Sequence, residues 1–359
     1  MTQTVASTAV RAKQWDDGVF MEYVRESRFK RYMGSTENAI IQVQRDLTKK
    51  KGDGITFNLV GALDATTYND GSTQLVGNEI AMPNDGHKIT VGVVRQAVTV
   101  NNMDEQAASF DIKNAARTSI KTLAARLLKT ATITALGSVN GVPFATASAA
   151  QKNVWTASNV DRVIFGTIAN YNATFQTALN AILATQKLTY ELVGVIKRIA
   201  QGAKTVNGDG IRPFRYGEDE ETFVMFVGKN AFRDLRTDME EKWENAQPRA
   251  DTNPLFSGPT SILADGVVVR EIPEILPFLN TAGTPVQVEP LYLCGAQALG
   301  IAWAKTLRTT IRKEDDYGYQ NGVGFEEIRA VDKIQWNQGQ STAKDWGMVT
   351  GYVAAASDA

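Results

Sequence analysis

The sequence predicts an α+β protein, and three observations carry that reading. Apolar residues recur every three to four positions across 103–136, which is one face of a long helix. Short apolar runs bounded by turn residues, such as Thr222–Val227 and "GVVVREI", read as buried strands. From Arg308 onward, strand-like runs ("RTTIRKED", "FEEIRAVDKIQW", "WGMVTGYVAAA") alternate with turns, and the chain shows no internal repeat or low-complexity tract. At 359 residues it is long enough for one large or two moderate domains with a sizeable core.

In chain order, Phe20, Tyr23, Val24 and Phe29 are interleaved with Glu22, Arg25, Glu26, Arg28, Lys30 and Arg31, which predicts a short helix over about 17–32. A strand follows at Ala39–Val43, then the basic run Lys49-Lys50-Lys51. That run reads as a solvated face or, with Arg28, Lys30 and Arg31 nearby in sequence, as a patch facing phosphates. Gly52–Val98 begins and ends on alternating, strand-like segments, Ile55–Val60 and Ile89–Val94. Between them lies a stretch rich in Gly, Asn, Asp and Thr, with too little apolar surface for a core of its own. It must pack against something else.

The helix over 103–136 places Ile112, Ala116, Ile120, Leu123, Leu127 and Ala131 on one face; Asp104 and Glu105 suit its start and Gly137 its end. At about 50 Å it would be a spine. Residues 138–160 read as loop. Helices are expected over 171–186, with Phe175, Leu179, Ile182 and Leu183 on one face, and over 190–200. Gly202–Gly217 is turn-rich, Asn230 suits the N-cap of a helix to about Asn245, and 247–260 ("QPRADTNPLFSGPT") reads as a long loop. "VEPLYLCGAQALGIAWAK" reads as strand, turn, strand.

Composition excludes several kinds of chemistry. Formal net charge is −1, with 38 basic against 39 acidic residues, so the basic excess of a dedicated nucleic-acid reader is missing. Cys294 is the lone cysteine, which rules out an internal disulfide and a cysteine-rich metal site; its apolar surroundings predict a buried, inert thiol. The first residues lack the apolar stretch of a signal peptide, and no segment approaches the ~18 apolar residues of a membrane helix. A reducing cytoplasm is therefore expected, at least at first. His87, the single histidine, sits in "NDGHKIT" and reads as an exposed turn residue, not as a catalytic base. Glu218–Glu221 and Glu314–Asp316 read as solvated turns, and "NGDG" at 207–210 lacks the other ligands of a calcium loop. "NGVGFEE" has neither the third glycine nor the setting of a dinucleotide fingerprint, and no phosphate-loop spacing occurs. No catalytic residue, cofactor site or metal site is predicted, which favours an architectural role.

The segments "EYVRESRFKRYMG", "IIQVQRDLTKKKGDGITFNLVGAL", "IRPFRYGEDEETFVMFVGKNAFRDLRTD", "NPLFSG", "YLCGAQALGIAWAK" and "DDYGYQNGVGFEEIRAVDK" follow in this order over about 15–350. That succession resembles the major capsid proteins of tailed bacteriophages, closest to the N-four-type branch, whose fold is shared with herpesvirus shells and encapsulins. The resemblance implies an N-terminal arm (1–48), an extended β-hairpin loop (49–101), a peripheral domain with a long spine helix (102–150 and 296–339) and an axial domain (151–295 and 340–359). It implies a structural protein forming hexamers and pentamers of an icosahedral head around double-stranded DNA, assembled in the host cytoplasm. The alternatives are an encapsulin-like compartment and a soluble enzyme with an unrecognised carboxylate site.

By the same resemblance, the extended loop lies across a neighbouring subunit. An arm of ~20 extended residues at roughly 3.3 Å each reaches about 65 Å, against a radius of gyration of about 20 Å for a compact chain of this length. Its tip residues would be Asp64, Thr67, Tyr68, Asn69, Asp70, Gln74, Leu75, Val76 and Glu79. No lysine lies between Asp64 and Glu79, which predicts a shell held without covalent cross-links there. Arg28, Lys30, Arg31, Lys49, Lys50 and Lys51 would face the packaged DNA, without sequence reading. The expected partners are other copies of the chain, with portal, scaffold and decoration proteins around them, and no membrane. Gly202–Gly217 and Gln247–Thr260 are candidates for axial contacts.

Overall fold

The computed structural model describes residues 28–45, 53–64, 68, 71–72, 74–108, 111–216, 220–243, 261–315 and 319–358. Most of the helix predicted over 17–32, the basic run Lys49–Lys51 and the loop 247–260 lie outside these residues. The described end of the first is a single 3₁₀ turn, Lys30–Tyr32.

The turn leads into β1 (Met33–Gly34) and β2 (Ile41–Gln44). β3 (Gly54–Val60) and β4 (Asn84–Thr90) pair antiparallel from Gly54↔Thr90 to Val60↔Asn84. The strand expected over Ile89–Val94 is two strands, because the ladder partner changes at Val91. Its N–H closes the β3–β4 pair on Asp53 O at 3.0 Å, and β5 (Gly92–Asn101) joins a different sheet. Alternation along a strand reports which face is buried, not which strand lies alongside.

The predicted spine is interrupted. α1 (Asn102–Ala107) ends at Ala108 in extended backbone, and α2 runs Ile112–Leu136. The Asp111 carboxylate accepts hydrogen bonds from the Asn114 N–H at 3.0 Å and from its side-chain amide at 2.5 Å. A short acidic side chain satisfying an open N–H starts a new helix where periodicity alone sees continuity. Residues 138–160, read as loop, contain α3 (Ala149–Ser158), whose start is a capping box between Ser148 and Gln151.

β6 (Val163–Phe165) precedes α4 (Phe175–Asn180), which is far shorter than the helix expected over 171–186. Phe175, Leu179 and Ile182 are buried as the pattern implied, but Leu183 is exposed. The Asn180 side chain accepts the Thr281 N–H at 3.1 Å, tying the helix end to another segment. α5 (Tyr190–Gly202) is capped by the Thr189 hydroxyl, close to the predicted span. β7 (Phe214–Tyr216), β8 (Glu220–Val227) and α6 (Lys229–Trp243) follow. After them come β9 (Ser261–Ala264), β10 (Val267–Glu271), β11 (Phe278–Leu279) and β12 (Gln287–Cys294). The chain ends with β13 (Leu299–Asp315), β14 (Gln320–Lys333), the short pair β15 (Gln335–Trp336) and β16 (Lys344–Asp345), and β17 (Met348–Ala354).

The chain divides into two compact units. One holds Val93–Leu127 and Thr306–Ile328 among the described residues. There α2 lays Ile120 and Ala124 on Val323 and Phe325 of β14. The larger unit holds Arg28–Gly92, Leu128–Lys305 and Arg329–Ala359. Its centre is a sheet in the order β6-β17-β12-β8-β10-β9, with β7 and β11 attached. β10 lies parallel to β8, from Val267↔Phe223 to Glu271↔Val227, across the α6 connection. α5 and α6 cover one face, where Val193, Ile196 and Leu235 meet Met225, Val269 and Leu293. The other face packs Phe29, Tyr32, Leu136 and Ile275 on Phe226, Val268 and Cys294. Coverage on both sides explains why β12 and β17 are buried at nearly every position.

Asn230 is not the N-cap of α6; it lies within the helix, buried. The cap comes from β12. Glu289 Oε1 accepts the Ala231 N–H at 3.3 Å, and a side chain at Gly228 would collide with this carboxylate. Burial pushes the Glu289 carboxyl from 4.5 up to about 7, and the nearby Asp234 charge adds to this, while backbone N–H groups of Ala231, Asn230 and Gly228 oppose it. A carboxyl raised on folding favours the folded state fully below pH 4.5, and that contribution is lost as pH rises through about 7. The ionised form therefore costs about 3 kcal/mol at pH 8. Glu289→Gln keeps an acceptor for the helix N–H groups without a charge to bury. We expect its melting temperature to exceed that of the natural chain at pH 8, with a gain that shrinks towards pH 5. An equal gain at both pH values would show that Glu289 does not titrate in this range.

Candidate assembly surface

The ribbon has two parts with opposite character. At its root, Ile55, Phe57 and Leu59 of β3 and Ile89 of β4 are buried against Ala302 and Ile334, with Ala330, Trp336 and Trp346 around them. Trp336 and Trp346 stack at 5.6 Å beneath. Thr56, Asn58 and Val60 face outward, the alternation of a half-buried strand. The root thus answers the packing question for its own residues: it docks on its own chain.

His87 is a correction. It is fully buried in β4, not exposed in a turn. Its Nδ1 accepts the Gln335 N–H at 3.3 Å, and Nε2 lies 3.5 Å from Asp332 Oδ2. Flanking it, Asp85 accepts the Asn337 N–H at 2.5 Å and Gln338 bonds the Lys88 backbone at 2.7 and 2.9 Å. The histidine is a pin between the ribbon and β15. Its glycine neighbour and its polar surroundings made it look like a turn, although its spacing of two from Ile89 placed it on the inward face.

Beyond Val60 the ribbon leaves this support. Gly61 still bonds Pro83 O at 2.8 Å, and Asn207 reaches Ala62 O at 3.3 Å. Residues 74–82 are then exposed without exception. Tyr68 is 81% exposed, Leu75 68% and Val76 83%, and Ile80 and Met82 are exposed as well. The tip is nevertheless shaped: Asn78 N–H bonds Leu75 O at 3.0 Å, Asn78 Nδ2 bonds Gln74 O at 2.8 Å, and Glu79 Oε2 accepts the Gly77 N–H at 2.7 Å. Gly77 has φ +88°, which a side chain would disfavour. Asp64 is half-buried, and Thr67, Asn69 and Asp70 lie outside the described residues.

Of the predicted basic residues, Lys30 and Arg31 are exposed on the 3₁₀ turn. Arg28 is half-buried and bonded to Glu271 Oε2 at 3.2 Å. Lys49, Lys50 and Lys51 lie outside the described residues. Cys294 is buried, and burial raises its thiol well above the ordinary range, so it stays protonated and unreactive. Among the described residues, no group of three or more His, Cys, Asp and Glu side chains could hold a metal ion, and no helix is long and apolar enough to cross a membrane.

Sequence reasoning missed the buried charges. Asp345 and Lys333 form an ion pair at 3.1 Å, both 1% exposed. Asp161 is held below the ordinary carboxyl range: burial acts to raise it, but the Arg162 guanidinium and Lys344 outweigh that. The available signal was a charged residue inside an apolar run, as in "VVVREI" and "VEPLYL".

The ribbon is thus a hairpin rooted on its own chain, with exposed apolar side chains at its tip. The family model for phage capsid proteins matches residues 3–357. The chain belongs to the phage capsid protein family. The capsid protein of cyanophage Pam1 is 33% identical with all of both chains covered and a TM-score of 0.86. The capsid of Ralstonia phage GP4 shares the fold at 18% identity, with full coverage of both chains and a TM-score of 0.79. The acid-stable capsid of Helicobacter pylori bacteriophage KHP30 shares it at 12% identity over 96% of this chain and 95% of its own, with a TM-score of 0.67. No curated protein sequence matches. The capsid family bears out the resemblance seen in the order of sequence segments, and with it the α+β capsid fold. The role is structural and its place is the virion capsid; the encapsulin and enzyme alternatives are not favoured.

Proposed function

We propose that this capsid chain is the major subunit of a tailed-phage head, assembling as hexamers and pentamers into an icosahedral shell around double-stranded DNA in the host cytoplasm. The observation that carries the reading is the ribbon: its root is pinned to its own chain and its apolar tip is left to solvent. An isolated two-stranded arm is marginal in water, so a neighbouring copy is the natural surface for Tyr68, Leu75 and Val76. Residues 49–101 are then the extended loop and 1–48 the N-terminal arm. Residues 102–150 with 296–339 form the peripheral domain, and 151–295 with 340–359 the axial domain. Arg28, Lys30 and Arg31, with Lys49–Lys51, face the DNA, and portal, scaffold and decoration proteins complete the particle. A net charge of −1 suits a wall that tolerates dense DNA without gripping it.

Negative-stain electron microscopy with light scattering on the purified chain tests this. Closed shells, tubes or rings of five or six are expected. A compact 39.1 kDa monomer that neither crowding nor a scaffold drives to assemble would overturn it.

A further inference from the structure

The chain contains three Asn-Gly pairs, at 140–141, 207–208 and 321–322. In such a pair the glycine puts no side chain in the way of its own nitrogen, which can reach the amide carbon of the asparagine before it. That reaction also needs the asparagine side chain free to swing back over its main chain. The three pairs differ in this freedom. Asn140 and Gly141, at φ +48° and +78°, are the centre of a tight turn whose flanks, Val139 and Val142, bond each other at 2.8 and 3.0 Å. The Asn140 side-chain oxygen also accepts Gln335 Nε2 at 3.3 Å. Asn321 and Gly322 lie within β14, between β13 and β5, and Asn321 Nδ2 is bonded to Asn102 Oδ1 at 2.7 Å.

Asn207 and Gly208 belong to no helix or strand; they lie in the loop between α5 and β7. Its two ends are anchored. Arg162 bonds the Lys204 carbonyl at 3.0 Å and the Thr205 hydroxyl at 3.2 Å, and Ile211 N–H bonds Ala200 O at 2.8 Å. Between these anchors the Gly208 N–H makes no hydrogen bond among the described residues, and no atom lies within 4 Å of where a side chain would begin. Asn207 is exposed, and one contact restrains its side chain, from Nδ2 to Ala62 O at 3.3 Å. That contact falls at the base of the ribbon. Beside it, a Cβ on Gly61 would meet Val206 at 3.1 Å, and the Gly61 N–H bonds Pro83 O at 2.8 Å, joining the two arms.

We propose that Asn207 is a site of spontaneous deamidation, which loosens the ribbon where it leaves its own chain. The Gly208 nitrogen attacks Asn207 Cγ and gives up its proton. The Cγ–Nδ2 bond breaks, and the amide nitrogen departs with that proton as ammonia, leaving a five-membered succinimide. Water then opens the ring at either carbonyl, adding hydroxyl to the carbon and a proton to the nitrogen, to give aspartate or isoaspartate. Either product has lost the Nδ2 donor and sets a carboxylate against the Ala62 carbonyl, acceptor facing acceptor. Asp209, two residues on, adds a like charge. A protein of the virion is not resynthesised, so slow irreversible chemistry accumulates in it. The modification does not depend on the shell reading; only its consequence for a neighbouring copy does.

The test is peptide mapping by mass spectrometry on the full chain, aged at mildly alkaline pH. Asn207 should convert first, to a mixture of aspartate and isoaspartate, while Asn140 and Asn321 remain amides over the same period. Gly208→Ala, at an open position, places a methyl group on the attacking residue and should leave Asn207 as the amide. Persistence of Asn207, or conversion of either other asparagine as quickly, overturns the site. Asn207→Asp supplies the product from the start. Hydrogen exchange at the Gly61 amide should then quicken about fivefold or more, the loss expected for one hydrogen bond. An unchanged Gly61 rate overturns the loosening. Neither readout requires assembly, so a chain that forms no shells would count against the shell reading and leave this one standing.

Discussion

Replacing Leu75 and Val76 together by aspartate is expected to abolish shell formation while leaving the subunit folded. Both side chains stand more than two-thirds exposed on the ribbon tip, so no core of their own chain loses a contact. Substitutions at such positions usually change stability by about 0.5 kcal/mol or less. In a shell, the same side chains would lie on a neighbour. Burying a side chain of this size is worth about 1.5–3 kcal/mol, and a carboxylate in its place would be desolvated without a partner. Losing about 3–6 kcal/mol per subunit contact raises the concentration needed for assembly by a factor of about a hundred to ten thousand. Light scattering and electron microscopy should show no particles, with circular dichroism and melting temperature unchanged. Normal shells from this variant would mean that the tip is not an assembly contact, and the ribbon would need another explanation.

The ribbon also shows what could be read from sequence and what could not. The alternation of Ile55, Phe57 and Leu59 was visible, and so was the polar excursion that follows. Their partners were not, because Ala302, Ile334, Trp336 and Trp346 lie more than two hundred residues further along the chain. The same distance hid His87. A period of two put it beside Ile89 on the inward face, but only the arrival of Gln335 and Asp332 makes that face an interior. Helix boundaries failed for a different reason. The break before α2 and the start of α3 are set by single side chains, Asp111 and Ser148, closing hydrogen bonds on their own backbone. Apolar periodicity carries no trace of such contacts. Where one face of an element packs its own apolar residues on the core, as Val193, Ile196 and Ala200 of α5 do, the pattern sufficed. Charged groups in the interior were the hardest. Glu289, Lys333 and Asp345 are buried, and each has a hydrogen-bond partner more than fifty positions away in the chain, Ala231, Ser138 and Trp155 respectively.

Asp345→Ala is expected to lower stability by about 3–5 kcal/mol, the largest cost of any single truncation proposed for this chain. Asp345 holds four segments together. Its Oδ2 accepts Lys333 Nζ at 3.1 Å and Trp155 Nε1 at 3.1 Å, and its Oδ1 accepts Gln335 Nε2 at 2.9 Å. Its backbone N–H donates to Asn159 Oδ1 at 2.9 Å, and its carbonyl accepts from Arg162. Lys333 Nζ has two further neighbours, the Ser138 carbonyl at 2.8 Å and the Trp155 ring at 5.3 Å, and neither carries a full negative charge. Removing the carboxylate therefore leaves an ammonium group buried and uncompensated, which costs far more than the net worth of the pair. The double variant Lys333→Met, Asp345→Ala separates the two quantities. It removes the stranded charge but still leaves the Trp155 and Gln335 donors open, so it should lose less than Asp345→Ala alone. Denaturant unfolding of Asp345→Ala, Lys333→Met and the double variant with the natural chain gives this coupling directly. If the double variant were as unstable as the two single losses added together, Lys333 and Asp345 would be packing independently, and the ion pair would not be what joins α3 to β14 and the β15–β16 hairpin.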